Sequence, residues 1–236
     1  MKSKNWMMWN CMVTWLGKMT WRAAGIMFIF VVVSLLMTFY VFSNMHMKHQ
    51  PWYSFPSPCH LDSTTESDMV YLVHKIDEVF RELHVPYVLC YGTLWGALRQ
   101  GAILPWDNNI DVCTLHSEFT KVSFSMVQET FQQHGVTFKG HFGGGEYHLT
   151  FNSASGTLHL WTVSADGEFA YPSGWFSSLQ RMLGNTQPFV PAHLLEAPLQ
   201  SILFHGKNML VPHENIEMLK YLYPDNWWLE VKPPGC

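Results

Sequence analysis

The sequence predicts an α/β (α+β) domain, a mixed sheet flanked by helices, preceded by a single transmembrane helix. Three observations predict it. A run of twenty residues near the start, Ala23 to Phe42, carries no charge. Beyond it, an amphipathic helical pattern leads into a strand, a glycine-led turn, a short helix and a second strand. After that come short strand-like segments separated by glycine and serine turns.

At 1.5 Å per residue, the uncharged run AAGIMFIFVVVSLLMTFYVF is long enough to cross a hydrocarbon core of roughly 30 Å. It exceeds a signal-peptide core and no small-x-small cleavage site follows it. Lys2, Lys4, Lys18 and Arg22 precede it, and only Lys48 follows closely. The positive-inside rule therefore puts residues 1–22 in the cytosol, 23–42 in the bilayer as a signal anchor, 43–61 as a lumenal stem and 62–236 as the lumenal domain, a type II arrangement. Trp6, Trp9, Trp15 and Trp21 suit an interfacial position or, equally, a second, amphipathic contact with the membrane surface. Pro51, Pro56 and Pro58 make the stem an irregular tether.

Hydrophobic residues make up 48% of the chain, charged residues 14%, and the formal net charge is −4. With no basic stripe, this composition argues against a nucleic-acid-binding surface. Of five cysteines, Cys11 falls on the cytosolic side. Cys59, Cys90, Cys113 and Cys236 fall on the other, where three pairings are open. Cys90, in a core strand, reads as a small buried apolar residue rather than half of a bridge. No N-x-S/T sequon occurs, and neither H-E-x-x-H nor C-x-x-C spacing appears among the 13 histidines and five cysteines.

Ser63-Thr-Thr-Glu66 has capping-box spacing, and Met69, Leu72, Val73, Ile76, Val79, Phe80 and Leu83 recur on one helical face. Tyr87–Tyr91 reads as a buried strand, Gly92-Thr93 as a turn, Leu94–Arg99 as a helix and Asn109–Leu115 as the next strand. A second long helix is expected over 117–134. Strands follow at 136–139, 146–151 and 158–163. The segment 166–198 reads as irregular and aromatic, 201–211 as a hairpin about His205-Gly-Lys207, and 213–222 as a helix.

The chemistry-bearing stretch is Tyr91-Gly-Thr-Leu-Trp-Gly-Ala-Leu-Arg-Gln-Gly-Ala-Ile-Leu-Pro-Trp-Asp-Asn-Asn-Ile-Asp-Val112. A Gly92-Thr93 turn at a helix N-terminus offers N–H groups and a hydroxyl to an anion. Asp107, Asn109 and Asp111 alternate, so a strand would point them to one face, where hard oxygen ligands suit Mg²⁺. Each residue also has a structural role open to it. Gly92-Thr93 serves equally as a plain turn, Asp107 as a cap, Arg99 as an ion-pair partner of Asp107 or Asp111, and His159 as a hydrogen-bonded core histidine. Trp161, Trp227 and Trp228 read as core or lid packing. Asp111, inside an apolar strand, needs a partner wherever it points.

Gly92 to Val112 resembles the signature of the LicD and fukutin-related family, close to G-T-L-L-G-A-x-R-H-G-x-x-I-P-W-D-x-D-x-D. Glu146-Tyr-His-Leu-Thr-Phe with Leu158-His-Leu-Trp161 is similar to the family's next strand pair, which contains V-D-L-W. Pro188-Phe-Val-Pro, Leu210-Val-Pro-His and Tyr221-Leu-Tyr-Pro-Asp-Asn-Trp resemble its C-terminal part. The resemblance implies a nucleotidyltransferase-like fold and the transfer of phosphocholine or ribitol phosphate from a CDP-activated donor to a glycan. It implies Golgi or endoplasmic-reticulum anchoring and glycosyltransferase partners. It makes Asp107 and Asp111 the catalytic carboxylates, Gly92, Thr93 and Arg99 the phosphate-binding residues, and Mg²⁺ or Mn²⁺ the cofactor of an active member. The chain departs from the pattern at two metal positions. Asn109 replaces the central aspartate and brings no charge, and His159 replaces the later strand aspartate and suits a transition metal better than magnesium. An inactive relative that binds a nucleotide, a glycan or an active partner is therefore the alternative.

Overall fold

The structure, a computed structural model, describes residues 21–46, 58–140, 144–182, 188–229 and 232–236. The tail bearing Trp6, Trp9, Trp15 and Cys11, Gly143, and the stem through Ser57 lie outside the described residues. The chain divides into two units, 1–48 and 49–236.

The first unit contains helix α1 (Trp21–His46), whose window Ala23–Tyr40 has a mean hydropathy of 2.3 and no buried residue. Among the described residues it is the one helix long and apolar enough to cross a membrane.

The second unit opens with α2 (Ser63–Glu82). Its cap is Asp62 rather than Ser63: the Asp62 carboxylate accepts the N–H groups of Thr64 and Thr65. The periodic residues Met69, Leu72, Val73, Ile76, Val79 and Phe80 are all buried. Strand β1 is only Val88–Leu89, and α3 (Tyr91–Gln100) begins three residues before the sequence pattern suggests. Next comes β2 (Ile110–Leu115). The long helix expected over 117–134 is broken in two. It forms α4 (His116–Phe119) and α5 (Phe124–Gln133), because the Ser123 hydroxyl accepts the Met126 N–H and starts a new helix.

Strands β3 (Thr137–Gly140), β4 (Glu146–Phe151) and β5 (Ala154–Val163) complete the centre of the sheet. The segment expected to be irregular holds β6 (Phe169–Pro172), α6 (Trp175–Met182), β7 (Val190–Pro191) and a 3₁₀ turn at Ala192–Leu195. The order is β1-β2-β5-β4-β3, with β6 beside the far half of β5 and β7 beside β6. The β2–β5 pair is parallel and the others are antiparallel, so the sheet is mixed. A separate hairpin, β8 (Gln200–Phe204) and β9 (Lys207–Val211), precedes α7 (Asn215–Leu222).

Helix α2 packs on the sheet across Gly156, where a Cβ would lie 3.0 Å from the Ile110 carbonyl oxygen and 3.4 Å from Leu72. A buried polar knot fastens the same helix to β1 and the hairpin. Asp77, fully buried, accepts from Tyr87 Oη at 2.7 Å and Arg81 Nε at 2.8 Å, and Lys207 Nζ lies 3.0 Å away. Burial would raise the Asp77 carboxyl, but these three donors hold it below the usual carboxylate range.

Two disulfides close the unit, Cys59–Cys236 and Cys90–Cys113. Cys90 is buried as expected, yet it is also half of a bridge. The antiparallel register sets Val88 against Cys113, and the Cα atoms of Cys90 and Cys113 stand 5.9 Å apart, within bonding reach.

Candidate functional site

The parallel register of β2 and β5 sets Asp111 opposite Thr157 and Cys113 opposite His159, and that of β4 and β5 sets Glu146 opposite His159. Side chains two apart on a strand share a face. Asp111, His159 and Glu146 therefore meet. His159 Nε2 lies 3.0 Å from Asp111 Oδ1, and its Nδ1 lies 3.3 Å from Glu146 Oε1. With a carboxylate at each ring nitrogen, the imidazole donates from both. Burial alone would lower its pKa, but the hydrogen bonds and charges of Asp111 and Glu146 overcome this and push it up to about 9. The Tyr91 ring lies 4.8 Å from the imidazole, centroid to centroid. Tyr91 itself holds a left-handed backbone, φ 50°, uncommon for a side chain of this size. Burial, then the charges of Asp111 and Glu146, raise its phenol.

Asn109 joins from the loop before β2. Its amide nitrogen donates to Asp111 Oδ1 at 2.7 Å and lies 3.3 Å from Thr157 Oγ1. Thr93 does not present its hydroxyl to an anion. Its Oγ1 accepts the Asp111 N–H at 2.9 Å and faces the Asn109 carbonyl at 3.5 Å, pinning the start of β2 to α3.

Gly92 makes room for Asp107, since a Cβ there would sit 2.7 Å from Asp107 Oδ2. Among the described residues that buried oxygen has no hydrogen-bond partner, while Asp107 Oδ1 accepts the Asn109 N–H at 3.3 Å. Burial, then the Asp111 charge, push the Asp107 carboxyl well above its ordinary range, against the Asn109 N–H. Cys90, at the N-cap of α3, makes no side-chain capping hydrogen bond.

Gly92, Thr93, Asp107, Asn109, Asp111 and His159 are thus linked by direct contacts. Arg99 is not drawn in through the contacts described for it. It is exposed, its guanidinium lies 4.8 Å over Trp95, and it donates to the carbonyls of Trp227 and Leu229. Sequence reasoning missed Glu146 and Tyr91. An acidic residue opening a strand after three glycines was the one visible signal for Glu146.

The donor set does not fit the divalent cation that the resemblance implies. Asp111 Oδ1 already serves two protein donors, Asn109 turns its NH₂ rather than its carbonyl inward, and His159 brings a positive charge and no free lone pair. Among the described residues, no group of three or more His, Cys, Asp or Glu side chains is placed to hold a metal ion. The arrangement instead neutralises a carboxylate internally, with an imidazolium held between two acids.

The mixed sheet thus carries a glycine-led helix, α3, ahead of the strand that holds Asp111. The family description "LicD/FKTN/FKRP, nucleotidyltransferase domain" matches residues 84–214, more than half of the chain, and the chain belongs to that family. No curated protein matches it. Among solved structures, the solution structure of the antibiotic-resistance factor ANT(2'')-Ia is similar at 11% identity and a TM-score of 0.40, covering 62% of this chain and 66% of that one. The crystal structure of ANT(2'')-Ia with adenylyl-2''-tobramycin is similar at 15% identity and a TM-score of 0.32, covering 41% and 52%. The chain spans less than two thirds of the length of either.

Proposed function

We propose that this protein is a membrane-anchored, degenerate relative of the glycan phosphotransferases. In this reading it binds a CDP-linked donor or a glycan, and scaffolds glycosyltransferase partners, without a resident Mg²⁺ or Mn²⁺ and with little or no turnover. The observation that carries it is the double engagement of Asp111 Oδ1 by Asn109 and His159. Asn109 and His159 stand where the family's pattern has two aspartates, and here they consume the third carboxylate instead of joining it around a cation.

The reading places α1 in a Golgi or endoplasmic-reticulum membrane, with residues 62–236 in the lumen. The basic flank before the span supports the orientation, and the two disulfides of the second unit support an oxidising compartment. Protease treatment of sealed microsomes tests this. A C-terminal tag should survive until detergent is added, and digestion without detergent would reject the lumenal placement.

A second reading, a working transferase of phosphocholine or ribitol phosphate, is favoured by Asp107 Oδ2, among the described residues the one site carboxylate oxygen that is buried without a hydrogen-bond partner. The two are separated by assaying the full chain in nanodiscs. CDP binding unaffected by Mn²⁺, with no release of CMP from CDP-ribitol or CDP-choline, supports the first. Metal-dependent CMP release establishes the second.

A further inference from the structure

The tip of the β8–β9 hairpin grips the loop between α3 and β2 at two points. The His205 N–H donates to the Gly101 carbonyl at 2.9 Å, and the Ile103 N–H donates to His205 Nε2 at 2.8 Å. The second contact fixes the state of the ring. A backbone N–H can only donate, so Nε2 must offer its lone pair and the imidazole must be neutral, with its proton on Nδ1. The turn itself has no need of a histidine. Phe204 pairs with Lys207 across a two-residue turn, and His205 and Gly206 hold φ of 47° and 79°. Asparagine, aspartate or glycine ordinarily fills the first of these positions. What a histidine adds there is a ring that reaches Ile103.

The gripped loop belongs to the candidate site. Ile103 and Leu104 are buried, the Asp107 N–H donates to the Leu104 carbonyl at 2.9 Å, and the Asp107 carboxyl lies against Gly92. The surroundings of His205 keep it neutral. Burial holds the imidazole below its ordinary value of 6.5, against the charge of Glu66, and His74 adds to the lowering. Glu66 and His74 both stand on α2. Burial, then the Lys207 ammonium, hold His74 below 6.5 as well, against Glu78 and Asp77. Lys207, two residues along the hairpin, is engaged by Asp77 at 3.0 Å and Glu78 at 3.3 Å. At the end of α3, the neutral Gln100 amide donates to the Ile103 carbonyl at 2.8 Å, and Arg99 turns to the carbonyls of Trp227 and Leu229.

We infer that His205 is an acid-sensitive clasp: as a neutral imidazole it holds the hairpin tip to the loop that carries Asp107, and on protonation it loses its acceptor and lets that loop go. Only the neutral ring accepts the Ile103 N–H. The clasp is therefore complete above the ordinary imidazole value of 6.5 and is lost as pH falls below it, through the lowered folded-state value. Asp77, held below the usual carboxylate range, stays ionised over most of this window. Asp107 is raised well above that range, and a variant at position 205 that leaves Asp107 in place separates the two groups.

The test is hydrogen–deuterium exchange of the full chain in nanodiscs at about pH 7.5 and about pH 4.5, corrected for intrinsic exchange and read by mass spectrometry. In wild type, the peptide covering 101–107 should lose protection about tenfold at the lower pH, because each pH unit below the imidazole pKa cuts the neutral fraction about tenfold. The peptide covering β2 should keep its protection. His205→Gln puts a carboxamide oxygen, which does not titrate, within reach of the Ile103 N–H and should keep 101–107 protected at both pH values. His205→Asn suits the left-handed turn, but its shorter side chain stops short of Ile103, and it should leave 101–107 unprotected at both. Equal protection of 101–107 at the two pH values in wild type would overturn the clasp. An acid loss that persists in His205→Gln or His205→Asn would overturn it too, since another group would then be responsible. Loss across β2 together with 101–107 would show unfolding of the whole unit in acid, in place of release of the loop, and would also overturn it.

Discussion

His159 Nε2 and Asp111 Oδ1 stand 3.0 Å apart, and the same carboxylate oxygen accepts the Asn109 amide at 2.7 Å. One oxygen therefore takes both donors, from the two positions where the resemblance leads one to expect aspartates.

The imidazolium makes this arrangement sensitive to pH. The folded-state pKa of His159, about 9, lies above its ordinary value of 6.5. Folding thus favours the protonated form. Its stabilising contribution is complete below about pH 6.5 and is lost as pH rises through about 9. Thermal unfolding of the wild-type protein should show a decline in midpoint across that window. His159→Gln should flatten the decline. An unchanged slope in the variant would show that another group is responsible.

The two glycines of α3 should differ in their tolerance of alanine. A Cβ at Gly96 would lie 2.5 Å from the Ala102 carbonyl oxygen, a backbone atom, whereas a Cβ at Gly92 would meet the end of the Asp107 side chain. Gly96→Ala is expected to cost about 2–3 kcal/mol and Gly92→Ala about 1 kcal/mol, since a side chain yields more readily than backbone. Denaturant unfolding of both variants gives the order. Gly92→Ala should in addition weaken CDP binding, because Asp107 must move.

The knot at Asp77 is structural. Asp77→Ala leaves Tyr87 Oη and the Lys207 ammonium without their buried acceptor and should cost about 3–5 kcal/mol. Wild-type stability should fall as pH drops through the depressed Asp77 pKa, because the carboxylate is stabilised only when ionised. Chemical unfolding of Asp77→Ala at neutral pH measures the first effect. A loss under 1 kcal/mol would mean that the knot contributes little to the fold.

Much of this was legible in the sequence where a single period or a local motif decides the matter. The apolar stripe of α2, the hairpin at His205-Gly206 and the uncharged span of α1 all follow from side-chain periodicity and turn chemistry. Asp111 stood out because a carboxylate inside an apolar strand needs a partner. What was not legible depends on register. Glu146 enters the site only because β4 pairs with β5 so that it faces His159, and no local pattern sets that pairing. The Cys90–Cys113 bridge likewise needs the β1–β2 register. Spacing alone also cannot tell a helix face toward the next strand from one toward the C-terminal segment, where Arg99 meets the carbonyls of Trp227 and Leu229. Thr93 lies at the expected place, but its hydroxyl is spent on the backbone of Asn109 and Asp111.

A calorimetric titration of Mn²⁺ in the presence of CDP tests most directly whether Asn109 and His159 have replaced a metal centre by an internal ion pair. Wild type and the Asn109→Asp/His159→Asp double variant are compared, each as the full chain. The double variant should bind Mn²⁺ at least about tenfold more tightly, roughly 1.4 kcal/mol, and each single variant should gain less, because one added carboxylate leaves the dication under-neutralised. Wild-type binding as tight as that of the double variant would contradict the claim, since Asn109 and His159 would then be competent ligands.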